Sequence, residues 1–183
     1  MKTRRRIATE TCGGFTLMEV LITVIILSVG LLGVAGLQFG SLRGNQAAFH
    51  SSIAAYLAAD AADRLRANVA GIRNPDTDAV RQEYDLITEA GVDPDCIESG
   101  CTYATLADHD AHEWITTIET QLPSGQGVIC RDGTPYDGTG SDNHQCDGIA
   151  DTNGTDVFAI KVWWDDDRNP DTPNVAYITS VVP

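Results

Sequence analysis

The chain has 183 residues and a formal charge of −14 at neutral pH, which leaves room for one soluble domain of ordinary size on one membrane stalk. Lys2, Arg4, Arg5 and Arg6 against Glu10 put a net +3 into the first fourteen residues, and taking that from −14 leaves −17 for the rest. Such a body repels nucleic acid and anionic lipid, which argues against direct contact with either.

In chain order, the first element is an apolar run. From Phe15 to Leu42 the only charged residue is Glu19, and the run is long enough to cross the ~30 Å of bilayer hydrocarbon. Its basic flank is N-terminal and only Arg43 follows it closely, so the positive-inside rule predicts a cytoplasmic N-terminus and an exported body. A cleaved signal peptide has an apolar region of about 7 to 15 residues, shorter than this one. A plain signal anchor matches the length but explains neither Glu19 nor the Gly13-Gly14 pair before Phe15. An ionisable side chain in hydrocarbon costs about 2.5 to 3.5 kcal/mol or more, so Glu19 requires a partner that offsets the cost.

Gly13-Gly14-Phe15-Thr16-Leu17-Met18-Glu19 resembles the cleavage site of type IV prepilins: a short basic leader ending in glycine, an apolar residue, and a glutamate at the fifth mature position. The resemblance implies that prepilin peptidase cuts after Gly14 and that Phe15 becomes the N-methylated first residue. Gly14 leaves the scissile bond free of side-chain obstruction. Glu19 would neutralise the charged amine of a neighbouring subunit, so that its cost is repaid only on assembly. The stretches "GFTLMEVLITVIILSVGLLGVAGLQFGSLRGNQAA" and "AADAADRLRAN" are similar to one branch, the V-type minor pilins called type IV pilus modification proteins. Fainter similarity continues at Cys96-x4-Cys101, "EWITTIETQLPSGQGVIC" and "IKVWWDD". Pseudopilins of type II secretion share the leader, which therefore does not choose between the two systems.

Residues 15 to about 70 read as one helix of roughly 80 Å at 1.5 Å per residue. Its second half must leave the membrane, with Phe49, Ile53, Tyr56, Leu57, Ala61, Leu65 and Val69 predicted on the face that supports the domain. Asp60 and Arg64 are spaced as an i,i+4 pair, and Gly71 is the expected C-cap. Gly30, Gly33, Gly36, Gly40 and Gly44 interrupt this helix, each at about 0.8 to 1 kcal/mol relative to alanine. Gly36, Gly40 and Gly44 form a small-residue face spaced for close helix approach. Packing against other pilin helices, local unwinding on polymerisation as the resemblance implies, and simple tolerance of glycine in lipid all remain open.

Beyond Asn74-Pro75, turn-rich pieces such as "NPDTD", "GVDPD" and "ESG" precede a second helix predicted from about Leu106 to Gln121. Thr105 is its expected cap, Pro123 its stop, and Ala111, Trp114, Ile115, Ile118 and Leu122 its core face. "GVICR" reads as a short strand, and "VFAIKVWW" sets Phe158, Ile160, Val162 and Trp164 against Ala159, Lys161 and Trp163. Of the two adjacent tryptophans, one is expected in the core and the other is a candidate partner surface. "VAYITSVV" is the last strand. The predicted class is α+β: a long N-terminal helix, transmembrane then amphipathic, a short second helix, and a small C-terminal antiparallel sheet. The expected divisions are a leader at 1–14, a membrane and assembly half of the helix at 15–42, an amphipathic half at 43–71, and an extracytoplasmic domain at 72–183.

Cys12 lies on the cytoplasmic side of the apolar run, leaving Cys96, Cys101, Cys130 and Cys146 in the domain. An even number in an exported domain points to disulfides. Of three possible pairings, loop closure favours the local ones, Cys96 with Cys101 and Cys130 with Cys146; the longer loop contributes roughly 3 kcal/mol on the chain-entropy estimate. Zinc is the competing use, and this spacing supports it less. Asp151-x-Asn153-Gly154-x-Asp156 resembles a calcium loop, but its glycine is misplaced and no bidentate glutamate follows, so a solvated turn is the reading. Asp165, Asp166 and Asp167 are read as an exposed charge run, and His109 and His112 beside Glu113 as a solvated helix face. No nucleophile elbow, phosphate loop or H-E-x-x-H is present.

These readings converge on a structural, non-catalytic subunit without a cofactor. The resemblance implies a minor pilin of the inner membrane. Its partners would be prepilin peptidase, other minor pilins, the major pilin, the assembly platform and membrane lipid, in a complex that primes or caps a type IV pilus. A type II pseudopilin and a pilus-tip adhesin are the alternatives.

Overall fold

The computed structural model describes residues 13–73, 83–148, 156–167, 169 and 174–183. The basic leader, Asn74-Pro75 and most of the calcium-like loop lie outside the described residues. Among the described residues, four helices and three strands follow in order: α1 Leu17–Ala67, α2 Val69–Ile72, α3 Cys96–Ser99, α4 Tyr103–Gln121, β1 Gln126–Arg131, β2 Phe158–Trp164 and β3 Val175–Val181. The fold is α+β, and it divides between Asn45 and Gln46 into two compact units.

In the first unit α1 is apolar and exposed along its whole length, and its most apolar window is 0% buried. In the second unit, α1 buries a stripe of Ala54, Leu57, Ala58, Ala61, Ala62 and Leu65. The stripe recurs every three to four residues, as one helical face requires. Phe49 and Tyr56, expected on that face, are 63% and 70% exposed, and Val69 is also exposed. Leu57, Ala61 and Leu65 lie on the buried face as their spacing predicted, with Ile53 packed beside them; the further alanines let neighbouring elements approach the helix closely, and Phe49 and Tyr56 are turned outward. Nor does Gly71 cap α1. It lies inside α2, where an added Cβ would meet Asn68 Nδ2 at 2.8 Å and the Tyr84 ring at 3.1 Å.

Helix α4 starts three residues before the predicted position. Thr102 is the N-cap, its hydroxyl accepting from the Thr105 backbone N–H while the Thr105 side chain accepts from the Thr102 N–H. Thr105 is thus the third helical residue of a capping box, not the cap itself. Ala111, Trp114, Ile115, Ile118 and Leu122 are buried. The Trp114 indole donates to the Leu57 carbonyl at 2.8 Å, which fixes α4 against α1 while satisfying a buried N–H.

The three strands form an antiparallel sheet in the order β1-β2-β3, with Ile129 opposite Ile160 and Lys161 opposite Ile178. Every residue of β2 is buried, which an alternating sheet achieves only when both faces are covered. Phe158, Ile160, Val162 and Trp164 join the main core with the α1 and α4 residues. Ala159 and Trp163 form a second cluster with Val128, Cys130 and Cys146 on the opposite face. Both tryptophans are therefore core, and neither is a partner surface. Residue 127 faces α4 so closely that a Cβ there would stand 2.5 Å from Ile118 Cδ1 and 2.8 Å from the Trp114 ring. Gly127→Ala is expected to lower stability by about 1 to 3 kcal/mol through this overpacking, read as a drop in the melting midpoint of the detergent-solubilised chain.

Candidate functional site: the N-terminal motif and the polar framework of the domain

Gly13 and Gly14 precede α1, and an added Cβ on either would meet nothing within 4 Å. Phe15 is 83% exposed. The helix begins where Thr16 takes over the first free amides. Its carbonyl accepts from Glu19 N and Val20 N at 3.1 and 3.2 Å, and its hydroxyl accepts from Glu19 N at 3.2 Å. Thr16-x-x-Glu19 is a capping-box sequence, a signal that a reading focused on the cleavage motif passes over. Glu19 thereby sits in the first turn of α1, where the helix dipole favours a negative side chain.

From Leu17 to Leu42 the large apolar residues are exposed in the single chain, Leu17 and Leu37 among the most extreme. A surface of that extent requires cover by lipid or by other apolar helices. An added Cβ at Gly30, Gly33, Gly36, Gly40 or Gly44 would likewise meet nothing within 4 Å, so no contact among the described residues accounts for these glycines. At the end of the run the Arg43 guanidinium lies 5.4 Å over the Phe39 ring.

The second unit is held by two polar clusters. In the first, Arg64 bonds Asp60 at 2.8 Å, Asp110 at 2.9 Å and Glu113 at 3.3 Å. The Tyr84 hydroxyl donates to Asp110 at 2.5 Å and accepts from Asn68 Nδ2 at 3.0 Å. Burial alone would lower the Arg64 pKa, but Asp60 and Asp110 outweigh it and hold the guanidinium firmly charged. Burial, reinforced by Asp110, pushes the Tyr84 phenol well above its ordinary range. In the second cluster Lys161, on the face of β2 opposite Phe158, Ile160, Val162 and Trp164, is fully buried with Asp132. Its ammonium lies 2.6 Å from Asp132 Oδ2, an ionic contact outside hydrogen-bond geometry. It donates to Asp137 Oδ1 at 2.7 Å and to the His144 carbonyl at 2.8 Å.

The structure joins Cys96 to Cys101 and Cys130 to Cys146. The first staple closes the turn just before the α4 cap. The second ties the 132–148 loop to β1 beside Lys161, and Gln126 Oε1 accepts from Ser141 N at 2.9 Å along the same loop. Cys130, Asp132 and Cys146 lie close enough together to suit a metal ion, but the disulfide and the Lys161 ammonium already occupy their ligand atoms. Asp156, the described end of the calcium-like loop, is bound by Arg73 at 2.9 Å and Arg131 at 3.2 Å. In the aspartate run, Asp166 is engaged by His50 at 3.1 Å and Asp167 accepts from Asn169 N at 3.0 Å.

His109 is not on a solvated face. It is buried on α4, with Nδ1 2.7 Å from Asp93 and Nε2 3.8 Å from Glu113. His112 directs its Nδ1 to the Gly91 carbonyl at 3.2 Å. Both histidines thus hold the 91–93 segment instead of converging on a shared metal position. These polar side chains bind neighbouring elements of the second unit to one another.

Residues 11–35 match the family described as the prokaryotic N-terminal methylation motif. No curated protein and no solved structure matches the chain. A prepilin-type N-terminus continuous with a long apolar helix supports a type IV pilin-like or pseudopilin protein processed by prepilin peptidase, and it fits anchoring in the inner membrane.

Proposed function

We propose that this chain is a V-type minor pilin, a structural subunit that primes or caps a type IV pilus. The observation that carries the reading is the methylation motif at residues 11–35 running directly into an apolar helix with no cover of its own. Residues 1–14 are the leader removed by prepilin peptidase, and Phe15 is the methylated mature N-terminus. Residues 15–42 lie in the inner membrane before assembly and against other pilin helices afterwards. Gly36, Gly40 and Gly44 form the face of closest approach, which their open surroundings suit. Residues 43–71 carry the periplasmic domain at 72–183. Glu19 pairs with the terminal amine of a neighbouring subunit, whether minor or major pilin, on the assembly platform.

The test is an in-frame deletion scored in parallel for surface pili and for secreted proteins, together with the mass of the mature N-terminal peptide. Methylated Phe15, loss of pili and a normal secretome are the expected results. Normal pili with a secretion defect would move the chain to the pseudopilins of type II secretion. Normal assembly in both systems, with loss of cell attachment, would make it a tip adhesin. A chain still beginning at Met1 would remove all three readings.

A further inference from the structure

The segment from Glu83 to Asp95 crosses the second unit as a strap fixed at three places. Near its start, Tyr84 enters the Arg64–Asp110 network. In the middle, Ile87 makes two backbone hydrogen bonds with Ile129 on the edge of β1, at 2.8 and 3.0 Å, and Asp85 Oδ1 accepts from Arg131 N at 2.9 Å. At the far end the two histidines of α4 reach it, through His109 to Asp93 and His112 to the Gly91 carbonyl, and the Cys96–Cys101 staple follows directly. Between strap and helix lies a cavity of about 520 Å³, lined by Glu83, Asp85, Leu86, Glu89, Val92 and Asp108 among others. Its charged lining is wholly acidic. The far end of the strap is the boundary whose release would widen it.

We propose that Asp93 and His109 form a pH-released clasp that holds the far end of the strap against α4 and opens as the imidazole loses its proton. Groups from three elements set the charge around that ring. From the strap comes Asp93, whose Oδ1 also accepts from Asp95 N at 2.9 Å. From α4 come Glu113, Asp110 and the second imidazole of His112. From α1, Arg64 engages Asp110 and Glu113, with Asp60 behind it. Because Arg64 and the Tyr84 hydroxyl already occupy Asp110, the charge facing His109 most directly is that of Asp93. The hydrogen bond to Asp93 raises the His109 pKa against the opposing effect of burial, with Glu113 adding to the rise. The same bond lowers the Asp93 pKa, helped by the Asp95 amide.

The sign follows from both shifts. A raised imidazole pKa gives a contribution complete below the unfolded value of about 6.5 and lost as pH rises through the folded value. A lowered carboxyl pKa gives one present above about 3.9 and lost as pH falls through the folded value. The clasp therefore holds between the two folded-state values and opens on the alkaline side. The other two anchors do not involve the His109–Asp93 contact: Ile87 is held by backbone hydrogen bonds and Tyr84 by the Arg64 network, so release is expected at residues 91–95 and not at those anchors.

Hydrogen–deuterium exchange of the full chain in detergent micelles, at pH 6 and pH 9 and corrected for intrinsic rates, tests this. Protection of peptides covering 91–95 is expected to fall as pH rises, by about tenfold for each unit by which the folded His109 pKa exceeds its free value. Protection around Ile87 is expected to hold. Asp93→Asn, which keeps an acceptor but removes the charge, should give weak protection of 91–95 that no longer changes with pH. His109→Gln should do the same by a second route, so one poorly folding variant does not decide the matter. Equal protection of 91–95 at both pH values would overturn the clasp, and so would wild-type pH dependence in Asp93→Asn. A parallel loss of protection across α4 and the sheet would overturn it too, by making the pH response global.

Discussion

Lys161→Met is expected to destabilise the domain by about 3 to 5 kcal/mol, the range for removing one partner of a buried ion pair. That is a large share of a total stability of roughly 5 to 15 kcal/mol. The reason lies in what is left behind. Asp132 is fully buried and Lys161 is its cation at 2.6 Å, so the substitution strands a carboxylate under the 132–148 loop. Asp137, whose pKa Lys161 lowers against the opposing effect of burial, would lose the same anchor, as would the His144 carbonyl.

Chemical denaturation of the solubilised chain, followed by tryptophan fluorescence, measures the loss, since Trp163 packs on the same face of the sheet. A midpoint unchanged from wild type would show that the cluster carries no net stability. Lys161→Met combined with Asp132→Leu should recover much of the loss, because replacing both partners by apolar groups removes the desolvation penalty along with the attraction. The Cys130–Cys146 staple holds the same loop. Its reduction and the Lys161 substitution should therefore combine non-additively, as neighbouring constraints do. Acid should weaken the cluster as well. Asp137 has a lowered pKa, so its contribution is present above about pH 4 and lost as pH falls through the folded value.

How much of this was legible in the sequence differs by element, for physical reasons. The apolar run and its motif are local signals, read residue by residue, and α1 begins within two residues of Phe15. The core face of α4 was equally readable, because Ala111, Trp114, Ile115, Ile118 and Leu122 repeat at the helical period. The second half of α1 was legible in part: Leu57, Ala61 and Leu65 are buried and Ile53 packs against the core as their spacing predicted, while Phe49, Tyr56 and Val69 are exposed. The rest of the buried stripe is alanine, whose small side chain gives a weak signal in a hydrophobic pattern. Alternation places Lys161 on the face opposite Phe158, Ile160, Val162 and Trp164, and it carries no sign that this face is covered too. The 132–148 loop that covers that face offers few apolar residues of its own, and the staple, the ion cluster and hydrogen bonds such as Ser141 N to Gln126 Oε1 bind it there. His109 failed for a related reason: its partner Asp93 sits sixteen residues away in a turn-rich segment, and spacing along the helix carries no trace of it. Tertiary partners decided each of these positions.

The largest effect expected on function is that of Glu19→Ala: processing intact, with methylated Phe15 recovered by mass spectrometry, but assembly into pili lost. Two roles for Glu19 are physically available and have to be separated. Its backbone N–H bonds Thr16 and its side chain lies in the first turn of α1, so the carboxylate supports the helix start in the single chain. That effect is local and small on an exposed turn. Pairing with the terminal amine of another subunit, the role proposed above, would offset the cost of burying a charge among apolar helices.

Thr16→Val removes the capping hydroxyl and leaves the charge, whereas Glu19→Gln removes the charge and keeps the size. If pairing between subunits is the dominant role, pili sheared from the surface should fall sharply in Glu19→Gln and stay near wild type in Thr16→Val. Equal defects in both would assign Glu19 to the helix start. An unprocessed chain in Glu19→Gln would place its action earlier, at recognition by the peptidase. Normal piliation in Glu19→Ala would remove the pairing role altogether, leaving the intramembrane charge to be offset by something other than a subunit amine.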